Sequence, residues 1–283
     1  MPVTVVKKWT CPSCSRTRTA PYCAQCGEEP LRPRDLTSGD VLVQIAKAFS
    51  NLDSNLSRSF RLLLTRPGAL TLAHVRGQRR RYLRPLQCFL VANALFFAMQ
   101  SLTHTAIFSS PLSSHLSHQD WSDFARGLVS PRLAARHVTL DAYARQFDLA
   151  VAFYAKTLII LMALAFAPMA ALLFRGRRLP IGAHVVFALH FYVFEMMLFS
   201  LSLVIVAGSV LLGGPGLNDA TFDTVLSVFN LLSGAVYLWF ACGVAYEATG
   251  LSRIAKAALL ALWAAALVPG YRFAMFLIGF LTT

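Results

Sequence analysis

The sequence predicts an α-helical integral membrane protein: about five transmembrane helices, preceded by a short N-terminal zinc ribbon and an interfacial amphipathic helix. Three observations carry that expectation. With 56% hydrophobic and 14% charged residues, the 283-residue chain has too little polar surface to dissolve a body of its size. Long stretches carry no Asp, Glu, Lys or Arg at all, between Arg84 and Asp120 and again between Asp223 and Glu247. Near the N-terminus stand two CxxC pairs, Cys11-Pro-Ser-Cys14 and Cys23-Ala-Gln-Cys26. Three segments follow: a zinc ribbon over 1–30, a linker, amphipathic helix and basic juxtamembrane stretch over 31–85, and a transmembrane helical domain over 86–283.

The ribbon comes first. The opening MPVTVVKKWT reaches the cysteines without an apolar core segment and is not expected to act as a cleavable signal peptide. Cys11, Cys14, Cys23 and Cys26 offer four thiolates to one tetrahedral ion, with only eight residues between the pairs, which suits two knuckles on a minimal hairpin. A pair of disulfides or a redox pair is the alternative, and a reducing cytoplasm disfavours standing disulfides. Four thiolates leave no open position for a substrate water, so the Zn²⁺ is expected to be structural. Cys88 and Cys242 fall inside apolar spans and read as packing residues.

Residues 28–40, with two prolines and a glycine, read as a linker. From 41 to 64 the apolar positions Ile45, Phe49, Leu52, Leu56, Phe60 and Leu63 recur at helical steps while Lys47, Asp53, Arg58 and Arg61 face elsewhere. That helix is too polar to span and is expected in the inner-leaflet interface, packing on the bundle being the alternative. Arg66-Pro67-Gly68 ends it, and a short element over 69–76 leads to a basic stretch. There Arg76, Arg79, Arg80, Arg81 and Arg84 are expected to contact anionic phospholipid head groups.

At this point the chain resembles a known family. The order CxxC, CxxCG, amphipathic helix, Thr65-Arg66-Pro67-Gly68, then Gly77-x-Arg79-x-x-Tyr82-x-x-Pro85 is similar to that of a bacterial family of zinc-ribbon membrane proteins of unknown function. His74 and Glu28 depart from it, standing where that family often has Tyr and Gln. The resemblance implies a multi-pass protein of the bacterial inner membrane and no established activity.

The spans are expected at about 86–108, 149–174, 183–212, 224–246 and 257–281, each enough for a hydrocarbon core of roughly 30 Å. Gln87, Asn93 and Gln100 dilute the first. Segment 109–148 is expected as an external loop. Arginines cluster before the first span, at Arg175, Arg177 and Arg178, and at Arg253 with Lys256, which predicts a cytoplasmic N-terminus and an external C-terminus.

Residues 1–85 carry 15 Lys and Arg against 5 Asp and Glu, a charge of +10, but most of it is juxtamembrane, so nucleic acid is not expected as a partner. The expected partners are the lipid bilayer and a cytoplasmic protein met through the ribbon, with a homo-oligomer as a further option. Lys156, Glu195 and Arg272 are the ionisable residues of a candidate intramembrane polar site, Glu195 pairing with Arg272 or Lys156. Lys156 could equally snorkel outward. Pro269-Gly270 beside Arg272 reads as a packed kink or as opened backbone at a binding site. His184 and His190, six apart, do not share a helical face, and His104, His115, His118 and His137 are irregularly spaced. No motif of nucleophile and base, phosphate loop or paired carboxylates stands out, so the chain is not expected to be an enzyme. The sequence leaves two functions open: a ribbon that docks or senses, or a small transporter or channel built on Glu195, Arg272 and Lys156.

Overall fold

The computed structural model describes residues 8–20, 22, 23, 25, 53–78, 81–103, 105, 107–214 and 216–283. The first half of the expected amphipathic helix, the linker, Cys26, Arg79, Arg80 and His104 lie outside the described residues.

A two-stranded antiparallel hairpin opens the described chain, β1 (Trp9–Thr10) with β2 (Thr17–Arg18), in the register Trp9 to Arg18 and Thr10 to Thr17. Its loop is closed by the Ser15 N–H donating to the Cys11 carbonyl at 2.8 Å and the Cys11 N–H donating to the Arg16 carbonyl at 2.9 Å. Among the described residues ten α-helices follow: α1 (Asp53–Thr65), α2 (Ala69–Val75), α3 (Pro85–Thr103), α4 (Leu112–Ser117), α5 (Ser122–Arg136), α6 (Leu140–Leu158), α7 (Ile160–Leu173), α8 (Ile181–Leu211), α9 (Ala220–Ala245) and α10 (Gly250–Thr282). Of these, α3, α8, α9 and α10 are long and apolar enough to cross a membrane, and α6 with α7, bent by 45°, makes a fifth if counted as one span. The chain is therefore an α-helical membrane protein.

The N-terminal signals are local. Pro85 opens α3 at a position where a missing N–H costs nothing, and the Arg84 N–H donates to Gln87 Oε1 at 2.9 Å. Asp219 Oδ1 accepts the Phe222 N–H at 2.7 Å at the start of α9. α8 is the hub, buried almost continuously from Ala183 to Val193 and packed by α3 on one side and α7 on another. The rings of Phe166 and Phe191 stack at 4.9 Å between α7 and α8, and Phe96, Phe108 and Phe199 form an edge-to-face cluster between α3 and α8. In lipid such contacts work through dispersion, since leaving an equally apolar solvent gains little.

Three expectations need correction. The described part of the amphipathic helix does not lie on its own at an interface: Leu63 is buried, Leu56, Phe60 and Leu62 pack on the core, and Ser59 Oγ accepts the Leu83 N–H at 2.8 Å. The cause is the turn at Arg66-Pro67-Gly68, which folds α1 back against α2 and lays both on the bundle. Segment 109–148, expected as a loop, is mostly helical, containing α4, α5 and the first turns of α6, the helix that leads into the second span. Arg132 and Arg136 of α5 donate to the carbonyls of Phe280 and Thr283, tying this segment to the last turn of α10. Finally, of the two readings of Pro269-Gly270, the opened backbone is not seen, since α10 is one helix from Gly250 to Thr282.

The polar residues that dilute the first span all meet a partner. Gln87 serves the helix start, Asn93 Nδ2 donates to the Lys156 carbonyl at 3.1 Å beside the α6–α7 bend, and Gln100 Oε1 accepts the Ile107 N–H at 3.1 Å. The two loops of Arg175–Arg178 and Glu247–Thr249 meet through Arg177 Nη1 and Glu247 Oε2 at 2.8 Å, which puts them at one end of the bundle.

Candidate functional site

Two constellations carry chemistry, one at each level of the chain. In the hairpin, the loop between β1 and β2 carries Cys11 and Cys14, and Cys23 follows β2. The three sulfurs lie within 4.8 Å of one another, and Cys14 Sγ is 3.6 Å from Cys23 Sγ. Thiolates at 2.3 Å from a tetrahedral zinc stand about 3.8 Å apart, so the spacing and the all-sulfur donor set fit such an ion. No disulfide joins any two of the described cysteines. The hairpin also touches the helical body: Gln78 Nε2, just past α2, donates to the Pro12 carbonyl within the Cys11–Cys14 knuckle at 3.1 Å.

The second constellation is a cavity of about 370 Å³ enclosed mainly by α8, α9 and α10. Glu195 and Arg272 both line it, and Lys156 does not. Lys156 sits on an exposed face of α6, where its side chain is outside the bundle. No ion pair joins Glu195 to Arg272 or to Lys156, contrary to the pairing expected. Instead Arg272 Nε donates to the Ile107 carbonyl at 3.0 Å, holding the guanidinium toward the α3–α4 connection. Glu195 accepts no hydrogen bond among the described residues. Its carboxylate occupies the room left by the missing side chain at position 234: a Cβ on Gly234 would lie 2.6 Å from Glu195 Oε1.

Other polar groups share the cavity. Tyr192 is buried to 4% exposure and its Oη has no hydrogen-bond partner. Ser202 Oγ donates to Asn230 Oδ1 at 2.9 Å, leaving the Asn230 amide nitrogen for another partner. Asp223 and Ser227 complete a stripe down α9 at positions 223, 227, 230 and 234. That stripe was open to view in the sequence, since steps of four, three and four put polar or small residues on one face of a helix. Tyr192, Glu195, Phe199 and Ser202 recur along α8 in the same way.

The arginines expected at lipid head groups are exposed where described: Arg76 at the C-terminal cap of α2, Arg81 and Arg84 ahead of α3. The span histidines are held apart, His184 Nδ1 2.9 Å from Tyr246 Oη and His190 Nδ1 2.9 Å from Thr71 Oγ1. Of the histidines between α3 and α6, His115 is buried with its Nδ1 accepting from Trp121 Nε1 at 3.3 Å, and His137 is exposed.

No curated protein and no solved structure matches the chain. Residues 53–97 match a family described as a protein of unknown function (DUF3667). The matched stretch comprises the α1–α2 hairpin, the basic connection and most of α3, and so ends before the cavity-lining helices begin.

Proposed function

We propose that this chain is a non-catalytic membrane protein that presents a zinc-loaded ribbon, completed by Cys26, to the cytoplasm as a docking or sensing module. The observation that supports it is the hydrogen bond from Gln78 to the Pro12 carbonyl, because it joins the metal-binding knuckle to the segment that leads into the first span. Loading and emptying of the cysteines would then be felt by α2 and the basic connection, where Arg76, Arg79, Arg80, Arg81 and Arg84 meet anionic head groups. The setting proposed is a bacterial inner membrane, with the N-terminus cytoplasmic and the C-terminus external. In-cell crosslinking and pull-down of wild type and Cys11→Ser/Cys14→Ser at equal membrane abundance tests it. A defined cytoplasmic protein lost from the variant supports the module; the same partner list from both would remove it.

A small transporter or channel is a second possibility, favoured by the fact that Glu195 and Arg272 line one cavity. Lys156, on the outer face of α6, takes no part in it. A homo-oligomer could extend the pathway. Solute or proton flux into liposomes that falls for Glu195→Gln is the expected result, and flux unaffected by that substitution would exclude the site.

A further inference from the structure

The cavity-lining face of α8 runs from Phe191 to Val206, about 22 Å at 1.5 Å per residue, so the space is elongated along the helix. Most of its wall is apolar, from Met162, Phe199, Leu203 and Leu226. Its polar groups differ in kind. Glu195 has a carboxylate that no described residue satisfies, with the unpartnered Tyr192 Oη one turn away along the same helix. Pro269 supplies no N–H, so the Ala265 carbonyl loses its partner within α10, and both residues line the cavity. Together these offer three acceptor groups, the Tyr192 hydroxyl being a donor as well, and suit an ammonium group. Arg272 offers the opposite: its Nε is used by Ile107 and its terminal nitrogens make no hydrogen bond among the described residues, while the Asp223 carboxylate lines the same cavity and acts on the Arg272 charge without forming an ion pair with it.

A carboxylate and a guanidinium in a low-dielectric space, neither paired with the other, are costly unless something completes them. A lone cation would answer Glu195 and leave the terminal nitrogens of Arg272 without an acceptor, and a lone anion would do the reverse. A molecule bearing both charges answers both. We propose that the cavity binds a zwitterion that joins a primary ammonium to an anionic group on an apolar body, the ammonium at Glu195 and Tyr192 and the anion at Arg272. An ethanolamine phospholipid and a free apolar amino acid share that chemistry. The assignment rests on the cavity invoked for transport above, yet it concerns binding and stands whether or not solute crosses.

The test uses the full chain purified in mild detergent. One arm counts retained dioleoyl phosphatidylethanolamine by native mass spectrometry, with phosphatidylglycerol at equal concentration as the control for charge. The other measures saturable binding of tritiated leucine by scintillation proximity. At least one zwitterion is expected to bind at one equivalent, and Glu195→Gln and Arg272→Gln are each expected to weaken it tenfold or more. Tyr192→Phe, which removes a single oxygen and leaves the packing intact, is expected to weaken it about tenfold, as losing a hydrogen bond to a charged group does. Lys156→Gln is expected to bind as wild type. No saturable binding in either arm, or undiminished binding by Glu195→Gln and Tyr192→Phe, would overturn the assignment. Binding without flux would support it while removing the transport function; flux of some other solute without zwitterion binding would overturn it alone.

Discussion

Gly68 lies against the backbone of Ala241, so closely that a Cβ there would be 2.6 Å from the Ala241 carbonyl oxygen. The glycine also holds φ at +83°, where other residues are strained. Gly68→Ala therefore meets two obstacles that no rotamer change relieves, and a loss of about 1–3 kcal/mol is expected. It should appear as a lower midpoint of thermal unfolding in detergent. An unchanged midpoint would mean that the α1–α2 hairpin does not dock on α9 as described.

Asn93 is the side-chain partner of the Lys156 carbonyl at the bend between α6 and α7. Asn93→Leu should cost about 1 kcal/mol, in line with other side-chain hydrogen bonds inside membranes. Faster amide exchange confined to residues around 156–162 is the expected signature. Uniform exchange across the two helices would show that the bend needs no such partner.

The cysteines should divide by reactivity. Cys88 and Cys242 are buried among apolar side chains and are expected to resist maleimide in the folded chain. Cys11, Cys14 and Cys23 should be protected with zinc present and labelled after chelation, since a metal-bound thiolate is no longer free to attack. Peptide mass spectrometry separates the two groups, and labelling of Cys11 that ignores the chelator would argue against a metal there.

His115, on the short helix α4 outside the spans, should make the α4–α5 segment sensitive to acid. Burial first, and the Arg272 charge second, lower its pKa from 6.5 to about 4. Between these values the unfolded chain takes up a proton that the folded one refuses, so stability is full above the upper value and falls as pH drops toward the lower. The loss approaches at most about 3 kcal/mol, from 1.36 kcal/mol per unit. Exchange of segment 112–136 at pH 7.5 and pH 5 measures it; His115→Gln should remove the difference, and a difference that persists would place its origin elsewhere.

Much of this fold was legible because lipid imposes simple requirements. Apolar runs with few or no charges pointed to α3, α8, α9 and α10, whose ends differ from expectation by up to seven residues. Residues 112–136 were harder to read: their charges suggested a loop, because the arginines that hold α10 through the carbonyls of Phe280 and Thr283 have partners far away in sequence. Glu195 and Arg272 stood out as ionisable residues in apolar surroundings, but whether they met depended on how α10 stands against α8. Gly234 and Tyr192 were unremarkable as letters. Their meaning comes from a carboxylate fitting where a side chain is missing, and from a hydroxyl left without a partner. Lys156 shows the converse, an intramembrane charge that three-dimensional placement sends to the outside of the bundle.

The stacking of Phe174 on Tyr246 at 3.9 Å, the His184–Tyr246 hydrogen bond and the Arg177–Glu247 ion pair all fall at the same end of the α8 and α9 helices. They work as the spring of a clothes peg. The arms are fastened where α8 begins and α9 ends, while the opposite tips, near Leu212 and Asp219, are joined by only a short connection. Cutting the spring, for instance by Tyr246→Ala, would free α8 and α9 at that end and leave them held by the short connection and the Ser202–Asn230 hydrogen bond.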